Sequence, residues 1–330
     1  MKGSIPISKI AERSGVSIAT VSRILNQSAS VKESTREKVV HVMEELGYGI
    51  DSFTSEHCST ILVLIPDFSN PFYAPIMEGI QQTAHENGFE VFALQTRDIY
   101  GNTAALTNLI SVSGFKGVLW LSSTPSKELI NAVRRIVPSV MCCEYPEGYD
   151  GSYVSIDDRA AAFKAVSYLI SSGCRKIGFV NCSTRYKYAR QRSEGYYAAM
   201  EKMGLEVPEE WILSVPYVDY SLAYSAIIQQ FIHSEQIPDA FFTASDVFAV
   251  AALNASVKSG YRVPEDISVI GFDNVETARM TLPPLATVNQ PGYTMGQQSC
   301  SILIEKIYNP SLPERRINLD TELIIRDSVR

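Results

Sequence analysis

The residues best suited to bind another molecule lie in one short segment near the start of the chain, where small hydroxyl side chains surround an arginine. Hydroxyl and amide groups can hydrogen-bond to phosphates, and Arg23 can bind the O6 and N7 atoms of a guanine together. A slim helix that carries such residues fits the major groove of DNA, with Ile18, Ala19 and Arg23 facing the bases. The candidate DNA contacts are Ser17, Ile18, Ala19, Thr20, Ser22, Arg23 and Asn26.

The elements needed to position this segment can be recognised within residues 1–48. Apolar residues recur at helical spacing in three short stretches, with Gly15 between the first two and Gly47 after the third. This pattern predicts a three-helix helix-turn-helix domain that binds DNA. A Ser/Thr-rich helical hairpin on the protein surface is the alternative, but the agreement of the whole segment 7–26 favours the helix-turn-helix.

The charge of the chain is unevenly distributed. Residues 1–48 hold seven Lys or Arg against five Glu, so residues 49–330 account for a charge of −9 within the net −7. A weakly basic head on an acidic body is typical of a DNA-binding protein that gains affinity from a second copy of itself.

From residue 60 onward, short apolar runs alternate with helical stretches. The runs TILVLIPD, KIGFVN and ISVIGFD are examples, and glycines end several of the helices between such runs. About nine such units predict parallel sheets covered by helices, and they exceed one sheet, so we expect two lobes. Residues 49–59 are polar and aperiodic, which predicts a linker.

The sequence does not support an enzyme, a metalloprotein, or a membrane or secreted protein. The chain lacks a P-loop, a GxGxxG after a strand, a GxSxG and an HExxH, and its four histidines are scattered. Its six cysteines form no CxxC pair. We therefore expect no catalytic residue, no metal and no cofactor. Neither a membrane span nor a secretory signal is predicted, so the expected location is the cytoplasm, at the nucleoid.

The head segment closely resembles the lactose/galactose repressor (LacI/GalR) family of transcription regulators. The matching residues are Ile7, Ile10, Ala11, Gly15, Val16, Ser17, Thr20, Val21, Ser22, Arg23, Leu25 and Asn26. The likeness continues through residues 67–73, 192–195, 269–273, 287–291 and 322–326, so it covers nearly the whole chain. The resemblance implies an α/β fold with a helix-turn-helix head and a two-lobed sensor like a periplasmic binding protein.

The linker departs from the family pattern. Family members carry a Pro-Asn-x-x-Ala-Arg-x-Leu hinge that becomes helical on DNA and places leucines in the minor groove. Here Tyr48 is followed by GIDSFTSE, and Asp51 and Glu56 would repel phosphates. Ile50 or Phe53 could act as an apolar wedge, while a flexible tether is the alternative. Whether residues 49–59 form a hinge helix therefore stays open.

The resemblance also implies a ligand site in the cleft between the lobes, at the carboxyl ends of strands. Paired hydrogen bonds from charged and amide groups, together with aromatic faces, suit a sugar. The candidate ligand contacts are Phe72, Tyr73, Glu144, Arg192, Tyr220, Ser245, Asp273 and Gln290. Ser245 stands where the family usually has Asn. Three alternatives stay open: Asp273 as a cap, Arg192 paired with a Glu of its own helix, and Phe72 or Tyr220 as plain core.

Together these observations predict a sequence-specific transcription regulator, a repressor, whose affinity for a near-palindromic operator is switched by a sugar or sugar derivative. The alternative is the same architecture answering to a nucleobase, a phosphosugar or a partner protein, or acting as an activator. Stacking aromatics would indicate a purine, and a second basic residue a phosphosugar. Lobe one is predicted as residues 60–156 and 288–316, and lobe two as 157–287 and 317–330. No heptad tail follows, which favours a homodimer.

Overall fold

The computed structural model describes residues 7–25, 31–46, 59–96, 103–121 and 125–330. The linker predicted at 49–59 lies outside these residues except for Ser59, and so does Asn26. Two compact units make up the chain, and each consists of three segments. The first unit contains Met1–Phe68, Tyr73–Val154 and Gly292–Ile317, and the second contains Ser69–Phe72, Ser155–Pro291 and Asn318–Arg330.

The boundaries of the units differ from the predicted ones by a few residues. The sequence placed residues 288–291 in lobe one, but residues 288 and 289 belong to a strand that pairs within the second unit, so the chain leaves that unit only after Pro291. Residues 69–72, which the sequence also placed in lobe one, group with the second unit. Phe72 therefore belongs to the second unit.

Helices and strands alternate along the chain after the head. The helices are α1 (Ile7–Ser14), α2 (Ile18–Leu25), α3 (Glu33–Glu45), α4 (Tyr73–Glu86), α5 (Thr103–Ser113), α6 (Lys127–Arg134), α7 (Asp158–Ser171), α8 (Lys187–Lys202), α9 (Tyr220–His233), α10 (Asp246–Lys258) and α11 (Gly292–Tyr308). The strands are β1 (Ser59–Ile65), β2 (Phe89–Gln95), β3 (Gly117–Trp120), β4 (Ser139–Cys142), β5 (Tyr153–Ile156), β6 (Ile177–Cys182), β7 (Ile212–Val215), β8 (Ala240–Thr243), β9 (Ser268–Asp273), β10 (Ala286–Asn289), β11 (Arg316–Leu319) and β12 (Glu322–Ile324).

The head is the predicted three-helix arrangement. Its apolar stripes meet in a small core formed by Ile10, Ala11, Val21, Ile24, Val39, Val42 and Met43. Gly15 joins α1 to α2 with a φ of +66°, a conformation that glycine adopts without strain. Ser17 caps α2, because its Oγ accepts a hydrogen bond from the N–H of Thr20 at 3.1 Å. The helix-turn-helix is therefore confirmed.

The first unit is built on a sheet with the strand order β11-β5-β4-β3-β1-β2. The strand β1 lies parallel to both neighbours, with Ile61 opposite Val91 of β2 and Gly117 of β3. Apolar residues on the two faces of β1 and β3 are buried, as expected for parallel strands covered by helices on both sides.

The second unit has its own sheet, in the order β12-β10-β9-β8-β6-β7. The central strands are parallel, and β12 runs antiparallel to β10 with Val288 opposite Leu323. Its core is aromatic, and the largest fully buried side chains include Phe179, Tyr196, Phe241, Phe242, Phe248 and Phe272. Within the described part of the chain, no helix combines the length and the hydrophobicity needed to cross a membrane.

Candidate functional site

Three strand ends meet in the second unit and bring charged groups together. β6, β8 and β9 are neighbours in the sheet and run in the same direction, so their carboxyl ends lie at one edge. Asp273 ends β9, Ala244 follows β8, and Arg192 lies on α8, the helix that follows β6. The carboxyl edge of a parallel sheet is where ligands bind in open α/β folds.

The buried guanidinium of Arg192 is the centre of this cluster. Its Nε lies 2.9 Å from Asp158 Oδ1, and its Nη2 lies 2.8 Å from the same oxygen. Its Nη1 donates to the carbonyl oxygen of Ala244 at 2.6 Å and lies 3.5 Å from Asp273 Oδ1. The carboxylate partners of Arg192 thus come from α7 and β9, which the sequence did not predict.

The carboxylate of Asp158 is shared between two cations. Lys187, the first residue of α8, places its Nζ 2.9 Å from Asp158 Oδ2 and 3.2 Å from Ser155 Oγ. Burial alone would raise the pKa of Asp158, but the charges of Arg192 and Lys187 bring it below its ordinary value. Asp158 therefore stays ionised and compensates both cations. The sequence did not point to Asp158 or Lys187, whose local signal is that each begins a helix after a strand.

Asp273 has a different environment from Asp158. Its Oδ1 accepts a hydrogen bond of 2.7 Å from the Nε2 of Gln290. Burial raises the pKa of Asp273 to about 7, although Arg192 and the bond from Gln290 act in the opposite direction. The structure thus brings three of the predicted ligand contacts together: Arg192, Asp273 and Gln290.

Aromatic rings hold the guanidinium of Arg192 in place. Its Cζ lies 3.5 Å from the ring centroid of Phe272 and 4.9 Å from that of Tyr188. The ring of Tyr188 also stacks on Tyr186, with 5.6 Å between centroids. Cation–π contacts of this kind fix the orientation of a planar guanidinium.

The other predicted ligand contacts have different surroundings. Ser245 is buried and caps α10, since its Oγ accepts a hydrogen bond from the N–H of Phe248 at 3.4 Å. Tyr220 begins α9, stacks on Tyr224 and hydrogen-bonds to Asn254 of α10 at 3.1 Å, which places it on the α9–α10 surface. The structure supports a cap role for Ser245 and a surface position for Tyr220.

Three predicted ligand contacts remain. Phe72 belongs to the second unit, and its N–H donates to Asn70 Oδ1 at 3.1 Å. In the first unit, Tyr73 begins α4 and the buried Glu144 follows β4. Their contact with a ligand stays a prediction. Within the described residues, no group of three His, Cys, Asp or Glu side chains is placed to hold a metal ion.

The residues predicted to contact DNA lie at the start of α2 and along it. Ser17 is exposed, and Ile18, Ala19, Thr20 and Arg23 are half-buried. The Nε of Arg23 is covered and has no hydrogen-bond partner within the described part of the chain.

Ser22 differs from its neighbours because it is fully buried. Its Oγ donates to the carbonyl oxygen of Asn87 at 3.4 Å and also hydrogen-bonds to the hydroxyl of Tyr308, at the end of α11. Contact of Ser22 with DNA, which the sequence predicts, would require this contact to break.

Two family models match the chain. The model of bacterial regulatory proteins of the lacI family matches residues 6–49, and the model of a periplasmic binding protein-like domain matches residues 166–329. Among curated proteins, the HTH-type transcriptional repressor CytR of Escherichia coli (strain K12) is 33% identical over 327 residues, which are 97% of this chain and 95% of that protein.

Solved structures show the same similarity. A complex of the transcriptional regulator CelR with cellobiose is 28% identical, has a TM-score of 0.74, and covers 98% of this chain and 99% of its own. A lacI-type transcriptional regulator from Enterococcus faecium with bound ribose is 25% identical, has a TM-score of 0.73, and covers 82% of this chain and 98% of its own. Both ligands in these structures are sugars.

Proposed function

Because this chain belongs to the LacI family of bacterial regulatory proteins, we propose that its affinity for operator DNA is switched by a small ligand with neighbouring hydroxyl groups, bound by Arg192, Asp273 and Gln290. The chain is a DNA-binding transcriptional repressor with a sensor domain, and it is not an enzyme.

One observation carries this proposal, namely the fork of donors on Arg192 beside the single carboxylate of Asp273. With 3.5 Å between Nη1 and Oδ1, two neighbouring hydroxyls could each accept from the guanidinium while one donates to the carboxylate. Gln290 donates to the same carboxylate oxygen and helps to orient it. Sugars offer such paired hydroxyls, and the sugars bound by the CelR and Enterococcus faecium regulators support this class.

A phosphosugar is a weaker candidate although a second basic residue lies beside Arg192. The ammonium of Lys187 is buried, and it is bonded to Asp158 and Ser155. Its charge is therefore compensated within the protein. A phosphate would have to compete with Asp158, and that carboxylate is held in the ionised form.

A nucleoside is the second candidate, because its ribose carries the same pair of hydroxyls as a free sugar. The ring of Tyr188, which contacts the guanidinium of Arg192, stacks on Tyr186, and both rings are half-exposed. A planar base could stack on such a surface. A bare nucleobase would lack the hydroxyls that Arg192 and Asp273 suit.

A ligand panel applied to the full-length protein tests the proposal. D-ribose, cellobiose, uridine, adenine and ribose 5-phosphate would be compared by thermal shift and by their effect on operator binding. A ligand at about a hundred times its Kd should stabilise the protein by about 2.7 kcal/mol. We expect stabilisation from ribose, cellobiose or uridine and none from adenine. Stabilisation by adenine alone, or by none of the five, would contradict the proposed ligand class.

We further propose that two copies read a near-palindromic operator with their two heads. The second unit exposes apolar side chains that a monomer would leave in water, and Met280 and Leu282 are 67% and 86% exposed. Leu222 and Val257 are also exposed. Large apolar side chains exposed close together, as Met280 and Leu282 are, support a surface that another chain covers.

Arg23→Ala tests how the head reads DNA. We expect it to weaken binding to the best operator by about 1–3 kcal/mol and to relax selectivity, because Arg23 is proposed to bind a guanine bidentately. Selection of binding sites from a random DNA pool, followed by anisotropy titrations, would measure both effects. Arg13→Ala, an exposed change of the same charge on α1, is the matched control. Unchanged selectivity in the Arg23 variant would refute its base contact.

A further inference from the structure

We propose that Arg326, near the end of the chain, and Thr287 are positioning residues of the ligand site, which act through Asn274 on the turn presenting Asp273. The inference rests on the proposed function only in taking Asp273 as a ligand contact. Arg326 is the last residue of the segment 322–326, which resembles the family pattern.

The turn that carries Asp273 has an unusual backbone. Asp273 has a φ of +117° and the next residue, Asn274, a φ of +56°. Residues other than glycine rarely adopt a positive φ. Two such residues in succession persist only where surrounding contacts hold them. The direction in which the Asp273 carboxylate points depends on those contacts.

Arg326, in the last segment of the chain, holds this turn by hydrogen bonds. Its Nη2 donates to Asn274 Oδ1 at 2.7 Å, and its Nη1 donates to the carbonyl oxygen of Leu285 at 2.6 Å. The amide of Asn274 in turn donates to Asn289 Oδ1 at 2.9 Å. Both ends of the Asn274 side chain are therefore fixed, one by Arg326 and the other by β10.

Thr287 and Asp246 also hold this turn by hydrogen bonds. The N–H of Asn274 donates to Thr287 Oγ1 at 3.3 Å, and that hydroxyl donates to Asp246 Oδ1 at 2.6 Å. Asp246 Oδ2 accepts from the N–H of Val275 at 2.8 Å. A Cβ at Gly271 would lie 2.1 Å from Asp246 Oδ1, so glycine leaves the room that this buried carboxylate needs.

The consequence is a turn fixed by the two residues that follow Asp273. Asn274 is tied to Arg326 and Thr287, and Val275 is tied to Asp246. In this position the Asp273 carboxylate faces Arg192 and Gln290 at 3.5 and 2.7 Å. Loss of Arg326 or of the Thr287 hydroxyl should let the turn relax and the carboxylate move toward water.

The experiment compares Arg326→Met, Thr287→Val and Thr287→Ser in the full-length protein. The first readout is the titration of the Asp273 carboxyl, followed by NMR of ¹³C-labelled aspartate and assigned with Asp273→Asn. The second is the affinity for D-ribose, measured by calorimetry. Arg262→Met is the control, because Arg262 belongs to an exposed pair with Asp266 in the same unit.

We expect Arg326→Met and Thr287→Val to lower the pKa of Asp273 from about 7 by about one unit or more and to weaken ribose binding about tenfold. Thr287→Ser keeps the hydroxyl and should retain both properties. Folded Arg326→Met and Thr287→Val proteins in which Asp273 titrates as in the wild type would overturn the proposal. If ribose does not bind the wild type, cellobiose or uridine replaces it in the calorimetry. If none of the three binds, the proposed ligand class is in error, and the titration still decides the positioning role.

Discussion

Arg192→Met is expected to lower the free energy of unfolding by about 3–5 kcal/mol, the usual result of removing one partner from a buried ion pair. The substitution keeps much of the side-chain volume, so the loss comes mainly from the charge. It leaves Asp158 with Lys187 alone and removes the donor from the carbonyl of Ala244. Urea unfolding of the full-length protein measures the change.

The pH dependence gives a second check on the same variant. The pKa of Asp158 is lower in the folded protein than its ordinary value, so its ionisation stabilises the fold above that ordinary value. This stability is lost as the pH falls through the folded pKa. Without Arg192 the folded pKa should rise, and acid unfolding should begin at a higher pH.

Arg262→Met is the matched control for stability. It makes the same substitution in the same unit, but Arg262 and Asp266 form an exposed pair four residues apart. We expect little change, because exposed pairs contribute little. Equal unfolding midpoints for the Arg192 variant, the control and the wild type would contradict the buried network described here.

Asp273→Asn is expected to abolish most of the ligand response while leaving operator binding without ligand unchanged. Hydrogen bonds to a charged group contribute about 1.5–3 kcal/mol, so the affinity for the ligand should fall about ten- to more than a hundredfold. Asn is preferred to Ala because it tolerates the positive φ of this position and keeps the shape of the side chain. Calorimetry with whichever sugar or nucleoside stabilises the wild type measures the loss.

The same residue should make ligand binding depend on pH. The pKa of Asp273 is raised to about 7, so the carboxylate that accepts a ligand hydroxyl forms as the pH rises through this value. Ligand affinity of the wild type should increase from pH 6 to pH 8, over about one unit on each side of that pKa. The Asn variant should show no such increase in this window. A wild-type affinity that falls over the same range would argue against an ionised Asp273 as acceptor.

The contribution of Asp273 to the stability of the fold changes with pH in the direction opposite to its effect on ligand affinity. Asp273 has a higher pKa in the folded protein than in the unfolded chain, so its contribution to stability is fully present below its ordinary pKa. It is lost as the pH rises through about 7. The ligand would therefore bind best above about pH 7, where Asp273 contributes least to the stability of the fold. Ligand binding would offset this loss of stability.

Much of the fold could be predicted from local pattern. The head was predictable because the glycine turn, the Ser17 cap and the apolar spacing all act within a few residues of one another. The central strands were also predictable, because strands buried on both faces appear as continuous apolar runs. The runs KIGFVN and ISVIGFD correspond to β6 and β9.

Edge and short strands were missed for a physical reason. β7, β11 and β12 are short, and many of their residues are half-buried or exposed, so their sequences lack the apolar run. They are strands because a neighbour supplies hydrogen-bond partners, as β10 does for β12. These pairings also set the residues at which the chain passes from one unit to the other. No local sequence pattern reveals such pairings.

Taken alone, the sequence determined the helix-turn-helix, the α/β class and the family. It also identified Arg192, Asp273 and Gln290 as candidate ligand contacts. All of these depend on short-range spacing and on motifs within single segments. Tertiary structure decided that Asp158 of α7 compensates Arg192 and that Arg326 holds the turn of Asp273. Each of these pairs joins residues far apart in the chain. Burial then sets the pKa of each carboxyl through neighbours that only the folded chain brings together.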